Sequence, residues 1–363
     1  MTTNGQYLYG VVPAGAAESF GAIGLDGGSV RIVSDGSVGI VTSDAAHLAF
    51  AEIAPERTLQ YLAQHQRVLE RVMLDVPVIP LKFGTYADND EQILDILRVG
   101  RSEFARALDE YASKVEVDLA AFWGDLKPVL AEIAGDEAIV SAKAQIGNQT
   151  QATTAQRVHL GQLVKELLDK RNKTITERLL LTLRSRWPNI VVSPSRDDSA
   201  ILNAAVLIGR DEETQFDQVL EQLDADHAGR VTFRRVGPLP PYSFATVEIK
   251  TVPGNRLNAA QQSLGLADSA SLAEIKCAYR RLLHELHPDR NSDPQAADFL
   301  KEVSSAYELL EDYAMNFQHT FNDTQRASVS VTVRSLEDLR AAGRTPVRRD
   351  PVERRVCVGA GAA

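Results

Sequence analysis

Ser271-Leu-Ala-Glu-Ile-Lys-Cys-Ala-Tyr-Arg-Arg-Leu-Leu-His-Glu-Leu-His-Pro-Asp289 is the most sharply patterned stretch of this 363-residue chain. Ser271 and Glu274 have the spacing of a capping box, so a helix starts there. Leu272, Ile275, Tyr279, Leu282 and Leu286 follow at steps of three and four and share one apolar face. The helix stops at His287-Pro288-Asp289, because proline lacks a donor and restricts the residue before it. Asp293-Pro294 supplies a cap and a first-turn proline for a second helix. Its stripe is Phe299, Val303, Ala306 and Leu310. Two facing stripes with a turn between them predict an antiparallel helical hairpin within 259–316.

Upstream, the periodicity changes. Tyr7–Val12, Val30–Val33, Val38–Thr42 and Val115–Leu119 are β-branched or alternating runs that predict strands. The loop Ser34-Asp-Gly-Ser37 predicts a hairpin between two of them. Glu56–Leu74 has helical spacing, and Asn89 can cap a second helix running to about Ala112. The run from Val76 to Tyr86 carries Pro77 and Pro80, so it predicts a bulged or edge strand. Residues 1–124 therefore read as an N-terminal α+β domain. Residues 125–186 read as a helical segment linking two lobes. A smaller α+β unit follows at 187–254, with strands at Ile190–Val192, Ala200–Ile208, Gly229–Val236 and Ser243–Lys250 and a helix at Glu212–Asp226. The segment Gly237-Pro-Leu-Pro-Pro-Tyr242 is too proline-rich to belong to a ladder. The expected class is α+β: two ferredoxin-like lobes linked by helices, then the helical hairpin, then a flexible tail at 317–363. That tail is Arg-rich, with one candidate strand at Val329–Val333.

Composition narrows the function. Lys and Arg number 39 against 49 Asp and Glu, a net charge of −10, which argues against a non-specific nucleic-acid binder. The longest apolar runs fall far short of a membrane span. Cys277 and Cys357 lie far apart, as expected of a protein in a reducing cytoplasm. No phosphate loop, nucleophile elbow, dinucleotide fingerprint or zinc-protease motif is present, so the expectation is a non-enzyme with no cofactor. Cys277 and His284 share a helix face but stand roughly 10 Å apart along the axis, too far to hold one metal ion. Lys276, Arg280 and His284, spaced at i, i+4 and i+8 with Arg281 beside them, form a cationic stripe bordering the apolar face. Such a stripe can steer onto an acidic partner.

Ala278-Tyr-Arg-Arg-Leu282, His287-Pro-Asp-Arg-Asn291, Phe299-Leu-Lys-Glu-Val303 and Ala306-Tyr-Glu-Leu-Leu310 resemble the J-domain of DnaJ-type cochaperones. J-domains bind DnaK-type chaperones and stimulate their ATP hydrolysis. The resemblance thus implies a chaperone-binding set of His287, Pro288, Asp289, Lys276, Arg280 and Arg281. This sequence departs from the family at Leu286, where an aromatic usually precedes the tripeptide, and in an opening helix (Ala259–Leu266) without tyrosines.

Residues 5–250 carry a second resemblance. Tyr7-Leu-Tyr-Gly-Val-Val12, His65-Gln-Arg-Val-Leu-Glu-Arg-Val-Met73, Val78-Ile-Pro-Leu-Lys-Phe-Gly-Thr85 and Val236-Gly-Pro-Leu-Pro-Pro-Tyr-Ser-Phe244 are similar, in order, to the gas vesicle protein F/L family. That likeness implies a cytoplasmic, vesicle-associated accessory protein whose partners are the hydrophobic shell protein and other gas vesicle accessory proteins. Nucleic acid and membrane are not among the expected partners. Together the two resemblances imply an assembly factor that recruits a DnaK-type chaperone. The alternative is a purely structural vesicle component whose J-like module is a degenerate docking domain.

Overall fold

The computed structural model describes residues 4–16, 19–48, 50–146, 153–194, 197, 199–252, 254–267, 270–286, 294–316 and 328–335. In chain order the elements are β1 (Asn4–Pro13), β2 (Ser19–Gly21), β3 (Val30–Ser34), β4 (Val38–Ala46), α1 (Pro55–Met73), β5 (Ile79–Pro80), β6 (Tyr86–Ala87) and α2 (Asp90–Tyr111). Next come β7 (Lys114–Trp123), α3 (Leu126–Ala134), α4 (Glu137–Ile146), α5 (Thr154–Arg184), β8 (Ile190–Val192), β9 (Ala200–Gly209), α6 (Glu213–His227), β10 (Val231–Leu239) and β11 (Ala245–Val252). The chain continues through α7 (Gly254–Leu264), α8 (Leu272–Glu285), α9 (Pro294–Asn316) and β12 (Ser328–Ser335). Helix and antiparallel sheet are mixed throughout. Two compact units result, one from Met1–Ile53, Leu81–Arg106 and Val247–Val333, the other chiefly from Ala54–Pro80 and Ala107–Thr246.

In the first unit, β2, β3, β4 and β1 lie side by side, each pair antiparallel, and β6 pairs with β1 on its other edge. The β3–β4 hairpin closes where the Asp-Gly pair predicts it, with Val33 opposite Ile40 and Gly36 at φ 89°. Burial alone would raise the Asp35 carboxyl. Hydrogen bonds from Ser37, Val38 and Arg101 outweigh it and hold the group well below the ordinary range. Asn89 caps α2 as expected, its Oδ1 accepting from the Gln92 amide at 3.0 Å. The first residue of α2, Asp90, accepts from Arg31 of β3 at 2.7 Å and Gln6 of β1 at 2.5 Å, which fixes the helix start against the sheet.

The second unit holds a four-stranded antiparallel sheet in the order β10-β7-β9-β8. With α5 between β7 and β8 and α6 between β9 and β10, this is the ferredoxin-like βαββαβ arrangement. One of its two inner strands is β7, buried at nearly every position, with Val117 opposite Val206 on one side and Asp118 opposite Val236 on the other. Two boundaries therefore change. The strand ending at Trp123, assigned above to the 1–124 domain, belongs to the second sheet, and β11, assigned above to the 187–254 domain, pairs with β12 instead. The alternation Val115-Glu-Val-Asp-Leu119 marks a strand but says nothing about which strands flank it. In the first sheet the short connections from Gly21 to Val30 and from Ser34 to Val38 leave no room for a crossing helix.

The helices of 125–186 are a layer on this second sheet and not a free link. Trp123 Nε1 donates to Asn172 Oδ1 of α5 at 2.8 Å, and Thr176 Oγ1 of α5 donates to the Ile201 carbonyl of β9 at 2.7 Å. The proline-rich segment also differs from expectation. β10 runs through Gly237 and Pro238, bulges there, and resumes its ladder with Leu239 opposite Glu116. Pro238 occupies the bulge, where no donor is required.

Candidate functional site

Helices α7, α8 and α9 form a small module with its own core. Leu257 and Leu264 of α7, Ile275 and Ala278 of α8, and Val303, Ala306 and Leu310 of α9 are buried together. Each large aliphatic there contributes about 1.5–3 kcal/mol by leaving water. The expected stripes hold from Ile275 to Leu286 on α8 and from Val303 to Leu310 on α9, while Leu272 is outside this core and Phe299 is 39% exposed. The capping box forms as read: Ser271 Oγ accepts from the Glu274 amide, while the Glu274 carboxylate accepts from the Ser271 amide at 2.6 Å. The Ser271 hydroxyl, which donates to the same carboxylate at 2.7 Å, and the Ser271 amide hold the Glu274 carboxyl below its ordinary value.

Of the six residues assigned to chaperone binding, Lys276, Arg280 and Arg281 lie on α8, while His287, Pro288 and Asp289 fall outside the described residues. The three basic residues do not act alike. Lys276 is half-buried and turns inward, its Nζ 3.2 Å from Glu311 of α9. Glu311 also accepts from the Tyr307 hydroxyl at 2.7 Å, and the two bonds, Tyr307 first, hold its carboxyl below the ordinary range. The Tyr279 and Tyr307 rings stack at 4.2 Å, so this polar latch sits beside an aromatic one. Arg280, Arg281 and His284 are exposed. Arg281 lines a surface cavity of about 340 Å³ with Gly265, Leu266, Glu274 and Cys277. The expected stripe is therefore split: its first member fastens the hairpin, and the remaining three face solvent. Tyr307 and Glu311 stand at i, i+4 on α9, but nothing local in the sequence marks Lys276 of α8 as their partner.

Two scaffold motifs also have defined structural roles. Leu81 donates its amide to the Tyr9 carbonyl at 2.8 Å, and Lys82 donates to the Val247 carbonyl at 2.9 Å. The segment Leu81–Thr85 thus joins β1 to β11. The Gly84 amide donates to the Tyr7 hydroxyl at 3.0 Å, and the Tyr7 ring packs on Tyr9, Phe83 and Tyr86. Burial pushes the Tyr9 phenol above its usual value. In the second unit, the buried Glu116 accepts from both the Ser243 amide and hydroxyl at 2.7 Å. This carboxylate closes the proline-rich loop from beneath. The alternation of Val115–Leu119 carries no local signal that marks Ser243 as the partner of Glu116. Among the described residues no group of three or more His, Cys, Asp or Glu side chains is gathered as a metal would require, and no helix is long and apolar enough to cross a membrane.

Fold and module together define an α+β scaffold protein that carries a J-type helical module. The family model for Gas vesicle synthesis protein GvpL/GvpF matches residues 5–246, and the chain belongs to that family. The DnaJ domain model matches residues 262–315. Gas vesicle protein F of Nostoc sp. (strain PCC 7120 / SAG 25.82 / UTEX 2576) is 25% identical over 251 residues, covering 68% of this chain and 99% of that protein. The crystal structure of GvpF from Anabaena sp. PCC7120 superposes with a TM-score of 0.55 at 26% identity, covering 66% of this chain and 97% of that one. The helical module is 53% identical over 49 residues to the chloroplastic chaperone protein dnaJ A6 of Arabidopsis thaliana, covering 14% of this chain and 11% of that protein.

Proposed function

We propose that this chain is a non-enzymatic, cytoplasmic gas vesicle assembly factor. Its scaffold binds the hydrophobic shell protein and other vesicle accessory proteins, and its J-like module recruits a DnaK-type chaperone to them. The observation that carries this reading is the combination in one chain of a nearly full-length GvpF scaffold and a folded J-type module whose Arg280, Arg281 and His284 face solvent. Joining client binder and recruiter raises the local chaperone concentration without requiring strong binding to either.

The test is ATP hydrolysis by a DnaK-type chaperone in the presence of shell protein, with the wild-type chain and with His287→Gln. Stimulation by the wild type and its loss in the variant are expected. Equal rates with and without the wild-type chain would overturn the recruitment. Retained vesicle association after deletion of residues 259–363 would then favour a purely structural component with a degenerate docking module.

A further inference from the structure

The GvpL/GvpF match ends at residue 246, two residues into β11. Beyond that point the chain does not simply trail away into the J-like module. β11 continues to Val252, the three helices follow, and β12 then pairs with β11. The module is therefore an excursion between two hydrogen-bonded strands.

Both strands are held to the scaffold. Leu81 forms a parallel bridge with Val247, and Lys82 Nζ lies 2.7 Å from Glu248. Along β12, Ser330 is buried, Val331 and Val333 are half-buried, and Thr332 and Arg334 are exposed. Val331 lies against α2, where Gly100 offers the room; a Cβ there would come within 3.0 Å of the Val331 methyl. The module itself is joined to this base, with Lys250 Nζ of β11 2.9 Å from Asp312 of α9. An uncovered β11 would otherwise present an open edge.

We propose that β12 is a strap that holds the J-like module docked on the scaffold, leaving the exposed face of α8 open to an acidic protein partner. Docking uses α9, through Asp312. The cationic side chains Arg280, Arg281 and His284 lie on α8 and stay accessible. A docked module delivers its partner at one place on the scaffold, whereas a module on a free linker samples a volume set by linker length. The open-face part of this inference rests on the recruitment reading above; the strap does not.

The experiment compares the full chain, a chain ending at residue 327, and Val331→Asp, which retains the whole tail. In the full chain, backbone amides of α8 and α9 should show the slow tumbling of the 39.7 kDa protein. In both variants they should relax as an independent small domain. Hydrogen exchange at Val247–Val252 should accelerate at least about tenfold as the strap is lost. Independent tumbling of the module in the full chain, or unchanged tumbling and exchange in both variants, would overturn the strap. ATPase stimulation of a DnaK-type chaperone should be equal for the full and shortened chains. Stimulation only after removal of β12 would overturn the open-face arrangement and make the strap inhibitory. No stimulation by either chain would sink the recruitment reading, while tumbling and exchange still decide the strap.

Discussion

The J-like module and the second sheet are held together over different distances along the chain. In the module, Tyr279 meets Ser304 across 25 residues, and the capping box spans three. In the sheet, Glu116 meets Ser243 across 127 residues, and β7 takes its two neighbours from β9 and β10. Short-range contacts cost little closure entropy, and long-range ones must bury enough surface to offset it. The module should therefore respond to substitutions locally, and the sheet cooperatively.

The largest expected effect is in the sheet. Leu119→Ala empties a fully buried position of β7 and should cost about 2–5 kcal/mol, a large part of a typical total stability. Denaturant unfolding followed through the fluorescence of Trp123 and Trp187, both in the second unit, would read it. Hydrogen exchange in α8 and α9 should stay unchanged, and equal loss of protection there would break the contrast.

Glu116→Ala is next. It leaves the Ser243 amide and hydroxyl without their acceptor and should cost about 1–3 kcal/mol. Glu116→Gln keeps one acceptor oxygen and should recover part of that loss, as read from urea midpoints. If the alanine and glutamine variants unfold alike, the carboxylate does not close the loop as described.

Ser271→Ala should cost about 1 kcal/mol and confine its effect to α8, because the lost bond serves only that helix start. Hydrogen exchange over residues 272–278 reads it directly. Faster exchange across the second sheet would show that the module is not locally built.

The smallest effect is a pH dependence of the module's latch. Glu311 has a folded value below its unfolded one, so its contribution is fully present above the unfolded value of about 4.3 and declines as pH falls through the folded value. Acid titration of α8–α9 exchange should show this loss, and Glu311→Gln should flatten it. A stability rise on acidification would contradict the assigned latch.

Much of the module was legible in advance because its signals are local. Ser271 and Glu274 gave the cap, and Ile275, Val303 and Leu310 the core. Phe299 shares the spacing of the stripe yet is exposed, because helical spacing alone does not set burial. The β3–β4 hairpin was legible for the same reason as the capping box: the turn residues Asp35 and Gly36 act on their own backbone. The placement of β7 was not. Its residues alternate as any strand would, and the identity of its partners is written in β9 and β10, far along the chain. The sequence places Lys276 in the cationic stripe of α8 but does not mark it as a latch, since Glu311 lies on another helix.

Sequence alone determined the element types, the capped hairpin and the two family resemblances, all of which rest on neighbours within a few residues or on ordered motifs. Tertiary structure alone decided that β7 is an inner strand of the ferredoxin-like sheet, that Glu116 is buried beneath the proline-rich loop, and that β11 and β12 pair on either side of the J-like module. Strand partnership and burial are set by surfaces that meet only after closure of loops tens of residues long, and no local pattern encodes which surfaces those are.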